Sequence, residues 1–199
     1  HISTAGSVRM VREAKARGLK VTAEACPHHF TLTEELTRGY NTHAKMNPPL
    51  RTMQDVQAIK EGLRDGTIDV IATDHAPHAT QEKQQEFTEA PFGIVGLETA
   101  LSLTLALVDE GVLTLESAVD KLATAPAKAF SLNAGTLAVG APADVAIVDP
   151  NREWQVDPSR FRSKSRNTPF AGWKVKGRVT TTIVSGRVVF ELDRSERQA

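Results

Sequence analysis

Helical and strand-like segments alternate over the first 130 residues of this 199-residue chain. An amphipathic helix over residues 4–18 precedes a strand-like segment at 20–25, and a second helix precedes the apolar strand-like segment 68–72. Strands separated by helices predict a parallel sheet with crossover helices. Even if His1 ends a further strand, fewer than three complete strands are present, too few for an independent sheet covered on both faces. We therefore expect the last part of an α/β unit.

The region that follows predicts three more helices. Residues 94–110 are apolar on most sides, which indicates a well-buried helix. Thr114 is suited to cap a second helix, and Pro126 to the first turn of a short third one.

Strand-like segments and turn residues dominate from about residue 135 onward. Short strands are predicted at 135–137 and 144–148, and a hairpin over 179–190 is expected to turn at Ser185-Gly186. Residues 193–199 are expected to form a frayed polar tail. The chain thus divides into two regions, an α/β region at 1–134 and a small β region at 135–199.

The overall composition excludes several classes of protein. The formal net charge is zero, which gives no support for a nucleic-acid or anionic-membrane partner. No apolar run approaches the roughly 18 residues that a membrane-spanning helix needs. The single cysteine, Cys26, excludes an internal disulfide and suits a reducing compartment, so we expect a cytoplasmic protein. The first residues lack the pattern of a secretory signal peptide, and we expect further chain to precede His1.

All six histidines fall within the first 78 residues, which suggests that this region carries the site. The motif Thr73-Asp74-His75-Ala-Pro-His78 directly follows the strand-like segment 68–72 and places Asp74 near two histidines. Carboxylate and imidazole groups suit zinc, and a carboxylate there could also move protons. A plain turn capped by Asp74 is the alternative. His1 stands where another strand should end, the edge at which barrel enzymes carry their sites, although it could also be left by a tag or a truncation.

The other histidines are weaker candidates. Cys26, His28 and His29 follow the strand-like segment 20–25, but adjacent histidines diverge on an extended chain and cannot easily share one ion. We interpret Cys26 as a packing residue, because no clear base for a nucleophile lies near it in the sequence, and the histidine pair as supporting or structural. His43 lies in a polar loop and is expected at the surface.

Two loops could contact a ligand. Two prolines hold the loop around Asn47 extended, and the asparagine offers a donor and an acceptor that match a cyclic amide. In the second loop Gly93 permits close approach of the backbone to a ligand. The alternatives are a plain connection at Asn47 and, at Gly93 and Gly96, no more than the start of a helix.

Five motifs follow one another along the chain: H-I-S-T at 1–4, T-A-E-A-C-P-H-H at 22–29, K-M-N-P-P-L-R at 45–51, A-T-D-H-A-P-H at 72–78 and A-P-F-G-I-V-G-L-E-T at 90–99. In this order they resemble the bacterial-type (class I) dihydroorotases of the amidohydrolase superfamily. Segments 135–145 and 167–173 and the terminal hairpin resemble that family too. The resemblance implies the C-terminal portion of a metal-dependent (β/α)8 TIM-type barrel, followed by the C-terminal part of a small β-sandwich domain.

The resemblance also implies roles for individual residues. His1 matches the zinc-ligand histidine at the end of barrel strand six. Asp74 matches the aspartate at the end of strand eight, which is both a zinc ligand and the proton-transfer residue. Asn47, His78 and the backbone at Phe92-Gly93 match substrate contacts. The histidine pair after Cys26 matches a recurrent motif but no ligand, and Cys26 itself replaces a more usual threonine.

The reaction implied is the zinc-dependent, reversible hydrolysis of dihydroorotate to N-carbamoyl-aspartate, with two zinc ions in a complete site. The family's H-x-H pair, its bridging aspartate, another ligand histidine and the arginine that pairs the substrate carboxylate lie outside these residues. The implied partners are therefore the N-terminal half of the barrel and the substrate, with a homodimer or an aspartate transcarbamoylase complex as further candidates. We expect the isolated 199 residues to be inactive. Two alternatives remain: a hydantoinase or allantoinase, or an inactive homologue that scaffolds aspartate transcarbamoylase.

Overall fold

The structure, a computed structural model, describes residues 1–192. The expected polar tail at 193–199 lies outside the described residues. Helices α1 to α7 and strands β1 to β5 follow one another in this order: α1 (Ala5–Ala16), β1 (Glu24–Ala25), α2 (Pro27–Thr31), α3 (Met53–Arg64), β2 (Val70–Ile71), α4 (Thr80–Lys83), α5 (Leu97–Asp109), α6 (Leu115–Val119), α7 (Ala125–Ala129), β3 (Val145–Gln155), β4 (Lys174–Val184) and β5 (Arg187–Glu191). Short 3₁₀ turns lie at Glu34–Thr37, Thr42–Ala44 and Pro158–Arg160, and a π-helical turn at Asp120–Thr124 joins α6 to α7.

Local capping residues explain where the main helices begin. The hydroxyl of Thr4 accepts from the backbone N–H of Ser7 at the start of α1. Thr52 and Asp55 form a reciprocal capping box at the start of α3. Thr114 caps α6 through the N–H of Ser117. Each cap satisfies a backbone donor that has no partner inside the helix.

Strands β1 and β2 pair in parallel and are shorter than the sequence predicted. Glu24 lies opposite Val70 and Ala25 opposite Ile71. The backbone N–H of Ile2 donates to the carbonyl of Glu24 at 2.8 Å, so the first residues run beside β1. Residues 20–22 are exposed and form no ladder among the described residues, because their local strand propensity has no partner strand there to pair with. The predicted parallel arrangement is nevertheless confirmed.

The second sheet is antiparallel, in the order β3-β4-β5. The predicted hairpin is confirmed: Ser185 and Gly186 have φ angles of 49° and 76°, as a two-residue turn with both central residues left-handed requires. Strand β3 runs further than predicted, because a register shift between Asp149 and Glu153 accommodates Pro150. The strand predicted at 135–137 is wrong: Gly135 is left-handed, and Leu137 is 84% exposed, with no surface to pack on.

One buried core connects the two sheets. Helices α1 and α3 pack against each other, and helix α5 lies against β4. The core residues come from both regions: Val8, Phe30, Ile59, Leu63, Ile68, Ile94, Leu103, Leu107, Val156, Phe161 and Phe170. The hydroxyl of Ser102 on α5 donates to the carbonyl of Gly177 on β4 at 2.7 Å, which fixes the antiparallel sheet to the helix. In residues 1–192 no helix has the length and the apolar character needed to cross a membrane.

The contact between α1 and α3 depends on a glycine. An alanine Cβ at Gly62 would lie 3.0 Å from Cγ1 of Val8 and 3.1 Å from Cδ1 of Ile68. Overpacking should outweigh the gain in helix propensity that alanine brings, so we expect Gly62→Ala to be less stable to unfolding than Gly6→Ala by about 1–2 kcal/mol. Gly6→Ala is the matched control, because its Cβ would meet only Oγ1 of Thr4, at 3.8 Å, and we expect no loss there. Urea denaturation of both variants measures the difference, and equal losses would contradict this account.

Candidate active site

Parallel pairing of β1 and β2 brings His1 and Asp74 to the same edge of the sheet. Asp74 follows β2, and His1 precedes the residue that bonds to β1. Nε2 of His1 lies 3.4 Å from Oδ1 of Asp74, and about two thirds of each side chain is buried (relative exposure 33% and 29%). Asp74 has a φ angle of 46°, a left-handed conformation that aspartate tolerates better than most residues. The structure thus brings together the two residues proposed as metal ligands.

The His1–Asp74 geometry fits a zinc ion. Imidazole nitrogen and carboxylate oxygen bind tetrahedral zinc at about 2.0–2.2 Å, which separates two such ligand atoms by about 3.3–3.5 Å. The carboxylate of Glu24 accepts a hydrogen bond from Nδ1 of His1, so Nε2 is left to face Asp74. A carboxylate on the far nitrogen is the usual way to orient a metal-binding histidine. Sequence reasoning missed Glu24, although an acidic residue at the end of a strand was a usable signal.

Cys26 lies next to this pair and is fully buried. Its Sγ lies 3.3 Å from Nδ1 of His1. Burial raises the pKa of the Cys26 thiol, and the nearby carboxylates of Glu24 and Asp74 raise it further. The thiol therefore stays protonated at neutral pH, which agrees with the interpretation of Cys26 as a packing residue rather than a nucleophile.

The histidine pair is more compact than an extended chain would allow. Pro27–Thr31 is a helix, and the rings of His28 and His29 are edge-to-face with centroids 4.3 Å apart. One ligand atom from each of Cys26, His28 and His29 lies within 4.8 Å of the others, so the argument that adjacent histidines must diverge was wrong. Burial lowers the pKa of His28 to about 3, and it also lowers that of His29. Both rings are therefore neutral at physiological pH.

His43 is not the surface residue that we expected. It lies in the 3₁₀ turn Thr42–Ala44 and is half-buried. Burial lowers the pKa of His43, and the neighbouring Lys83 lowers it further. A polar sequence context did not reveal this burial, because the contact of this turn with Lys83 on α4 forms only in the fold.

The loop that carries Asn47 is anchored on both sides. Met46 and Leu50 are buried, whereas Asn47 is exposed between them. Nε2 of His29 donates to the carbonyl of Pro48 at 2.8 Å. The histidine pair thus helps to support the loop, which agrees with its predicted supporting role.

His78 and Phe92-Gly93 meet directly. Nε2 of His78 donates to the carbonyl of Phe92 at 2.8 Å, and the N–H of Ala76 donates to the carbonyl of Ile94 at the same distance. Gly93 has a φ angle of 97°, and a Cβ there would lie 2.5 Å from Cβ of Ala76. This close approach of two loops requires the glycine. Gly96 precedes helix α5, and a Cβ there would lie 2.7 Å from the carbonyl oxygen of Thr73, so it too does more than mark a helix start.

His75, the histidine next to Asp74 in the sequence, accepts a hydrogen bond at the start of helix α5. Its Nδ1 accepts from the N–H of Gly96 at 3.1 Å, at the start of α5. The ring therefore contributes to the orientation of α5, and its Nδ1 is taken by this hydrogen bond.

A buried lysine that sequence reasoning missed holds the second loop. Lys83 is 3% exposed, and its Nζ donates to the carbonyls of Pro91 at 2.8 Å and Gly93 at 3.2 Å. The loop is also bonded to the segment just before Asn47, because the N–H of Gly93 donates to the carbonyl of Lys45 at 2.8 Å. Burial and the nearby charge of Lys45 lower the pKa of Lys83 to about 8.

Residues 1–189 match the model of the amidohydrolase family. The chain belongs to this family. It is 60% identical over 192 residues to the dihydroorotase of Syntrophotalea carbinolica and 59% identical over 191 residues to that of Geobacter metallireducens. Each alignment covers 96% of this chain but only 45% of the relative, so the chain spans about half the length of the curated relatives that it matches.

Solved amidohydrolases share the same architecture. The L-hydantoinase (dihydropyrimidinase) from Arthrobacter aurescens is 34% identical with a TM-score of 0.90, and a D-hydantoinase from Thermus sp. is 29% identical with a TM-score of 0.89. The chain covers 44% of each of these proteins. The predicted fold class, part of a TIM-type barrel together with a β-sheet region, is confirmed.

The stability contributed by Lys83 should depend on pH. Its pKa falls from the ordinary 10.5 to about 8 in the folded protein, so between these values the unfolded chain holds a proton that the folded chain lacks. Stability from this group therefore rises with pH across that window. We expect the difference in unfolding free energy between the unsubstituted protein and Lys83→Met to shift in favour of the unsubstituted protein from pH 8 to pH 10.

Denaturant unfolding at a series of pH values measures this shift. Lys128 is exposed on α7, and Lys128→Met is the control. A difference that stays constant with pH for Lys83→Met would mean that the buried amine does not change its protonation on folding.

Proposed function

We propose that this chain supplies the C-terminal half of the site of a zinc-dependent dihydroorotase, which reversibly hydrolyses the cyclic amide of dihydroorotate to N-carbamoyl-aspartate in pyrimidine synthesis. The observation that carries the proposal is the pairing of His1 and Asp74 at 3.4 Å, at the edge of a parallel sheet. The choice of dihydroorotate is supported by the names of relatives that are 60% identical, compared with 34% for the L-hydantoinase. Residues 1–134 belong to the barrel in this proposal, and residues 135–199 to the small β domain.

His1 and Asp74 would hold zinc, and in the proposal a complete site takes two ions. Bound zinc supplies a Lewis acid and a water molecule of lowered pKa. His1 contributes through Nε2, because Glu24 occupies its Nδ1. The remaining ligands belong to the N-terminal half of the barrel, the partner that the proposal requires.

Asp74 is the proton carrier in this proposal. Its carboxylate accepts a proton from water as the water oxygen bonds to the ring carbonyl carbon. It then delivers that proton to the amide nitrogen as the C–N bond breaks, so water is added across the amide. The side chain of Asp74 is partly exposed, as contact with a substrate would require.

Two loops would hold the ring. Asn47 is exposed on an anchored loop, so its amide can donate to and accept from a cyclic amide without reorganisation. His78 and the Phe92-Gly93 peptide are linked by a hydrogen bond, so they would approach the ring as one unit. A fixed ring places its carbonyl toward His1 and Asp74.

The proposed substrate can be tested by competition between amides. The purified full-length protein, loaded with zinc, should hydrolyse dihydroorotate with a kcat/KM at least about 100-fold above that for hydantoin or allantoin, since a site built for the substrate's polar groups rejects analogues that lack them. Faster turnover of hydantoin would support the hydantoinase alternative. Absence of all three activities in a zinc-loaded protein would support an inactive homologue.

Asp74 and His1 should respond differently to substitution. Asp74→Asn keeps an oxygen near zinc but loses the basic carboxylate, so kcat should fall by about 10²–10⁴-fold while zinc content falls only partly. His1→Ala should deplete zinc first, with activity partly restored by excess zinc. Zinc stoichiometry and steady-state kinetics separate the two effects. Near-normal kcat in Asp74→Asn would leave Asp74 a structural role at most.

Asn47→Ala should weaken substrate binding without loss of metal. We expect KM for dihydroorotate to rise by about 10-fold, the size of one lost hydrogen bond to a substrate, at unchanged zinc content. Asn151→Ala, an exposed position on β3, is the control and should leave KM unchanged. Loss of zinc in Asn47→Ala would assign the loop to the metal site instead.

A further inference from the structure

Asn167 lies at the junction of the two loops that carry His78 and Gly93. It is 3% exposed and belongs to the segment between the last 3₁₀ turn and β4, far along the chain from both loops. Its Oδ1 accepts from the backbone N–H of His78 at 3.1 Å. Its Nδ2 donates to the carbonyls of Ala76 at 2.9 Å and Gly93 at 3.2 Å. One carboxamide therefore bonds to both loops at once.

Both the oxygen and the nitrogen of the Asn167 carboxamide form hydrogen bonds. An asparagine side chain has two N–H donors and one carbonyl acceptor, and all three functions have a partner here. Asn167 also binds through its backbone, because its carbonyl accepts from the N–H of Val95 at 3.0 Å. Few other side chains could reproduce this pattern, since aspartate lacks the donors and leucine lacks every function.

The segment that presents Asn167 is itself held in place. The hydroxyl of Thr168 accepts from the N–H of Phe170, and both residues are buried. Phe170 is 1% exposed in the core and packs edge-to-face on Trp173, with ring centroids 5.1 Å apart. Core packing of Phe170 and the turn at Thr168 therefore contribute to the position of Asn167, in addition to its bonds to the loops.

We propose that Asn167 is a positioning residue, which fixes His78 and the Phe92-Gly93 peptide relative to each other so that they bind a cyclic amide as one preformed surface. The inference rests on the proposed function for the identity of the ligand. It assigns part of the substrate site to a residue of the proposed β domain, residues 135–199. Asn167 acts through the two loops and contacts neither zinc ligand.

Kinetics of the zinc-loaded, full-length protein provide the first test. Asn167→Ala removes all three side-chain hydrogen bonds, and Asn167→Asp keeps the acceptor for His78 but turns a carboxylate oxygen toward two carbonyls. Both variants should raise KM for dihydroorotate by about 10-fold or more, with unchanged zinc content and a smaller effect on kcat. Asn151→Ala is the matched control. An unchanged KM in both Asn167 variants, with the unsubstituted protein active, overturns the inference.

A double variant tests whether Asn167 acts through His78. If it does, Asn167→Ala combined with His78→Ala should raise KM by less than the product of the two single effects. Effects that multiply in full would mean that the two residues act independently, which contradicts a positioning role.

Hydrogen exchange gives a readout that needs no substrate. In Asn167→Ala the amide of His78 loses its acceptor, so exchange in residues 76–79 and 92–96 should accelerate, while strands β4 and β5 keep their protection. The control Asn151→Ala should change neither loop. Unchanged exchange in both loops would overturn the inference. If the unsubstituted protein does not hydrolyse dihydroorotate, the proposed function fails, but exchange still decides whether Asn167 links the loops.

Discussion

The parallel pairing of β1 with β2 is the interaction on which the rest of the site depends. Only two residue pairs form it, Glu24 with Val70 and Ala25 with Ile71, yet the direction of the pairing puts the residues after both strands at one edge. The hydrogen bond from Ile2 to the carbonyl of Glu24 adds the start of the chain to this edge. Reversing either strand would send Asp74 to the opposite end of the sheet from His1.

The histidines of this region differ in burial and in hydrogen-bond partners, and therefore in what each can do. The pair after Cys26 is buried and neutral, and it supports the Asn47 loop through the bond from His29 to Pro48. His75 accepts from the start of α5. His1 and His78 are partly exposed. Exposure and hydrogen-bond partners, which only the fold reveals, thus distinguish histidines that look alike in the sequence.

Local signals explain which parts of the fold were predictable. The capping box at Thr52 and the turn at Ser185-Gly186 are fixed by residues that are adjacent or three apart, so their sequence pattern was sufficient. The strand predicted at 135–137 was wrong because β propensity is realised only where a partner exists. The position of His1 beside Asp74 was predictable from strand ends. The role of Lys83 was not predictable from the sequence. It depends on how the fold places the backbone carbonyls of Pro91 and Gly93.

The antiparallel region is connected to the α/β region by a shared core and by the hydrogen bonds of Asn167. Ser102 and Trp154 both donate to the carbonyl of Gly177, so sheet and helix α5 share one hydrogen-bond acceptor as well as a core. In the segment that precedes β4, the carboxamide of Asn167 is buried with three partners in the loops that carry His78 and Gly93. A buried amide is tolerated only when its donors and acceptor are satisfied, so the loops must keep this spacing while the core is intact. The spacing of the loops that carry His78 and Gly93 in this way depends on packing in the region farthest along the sequence.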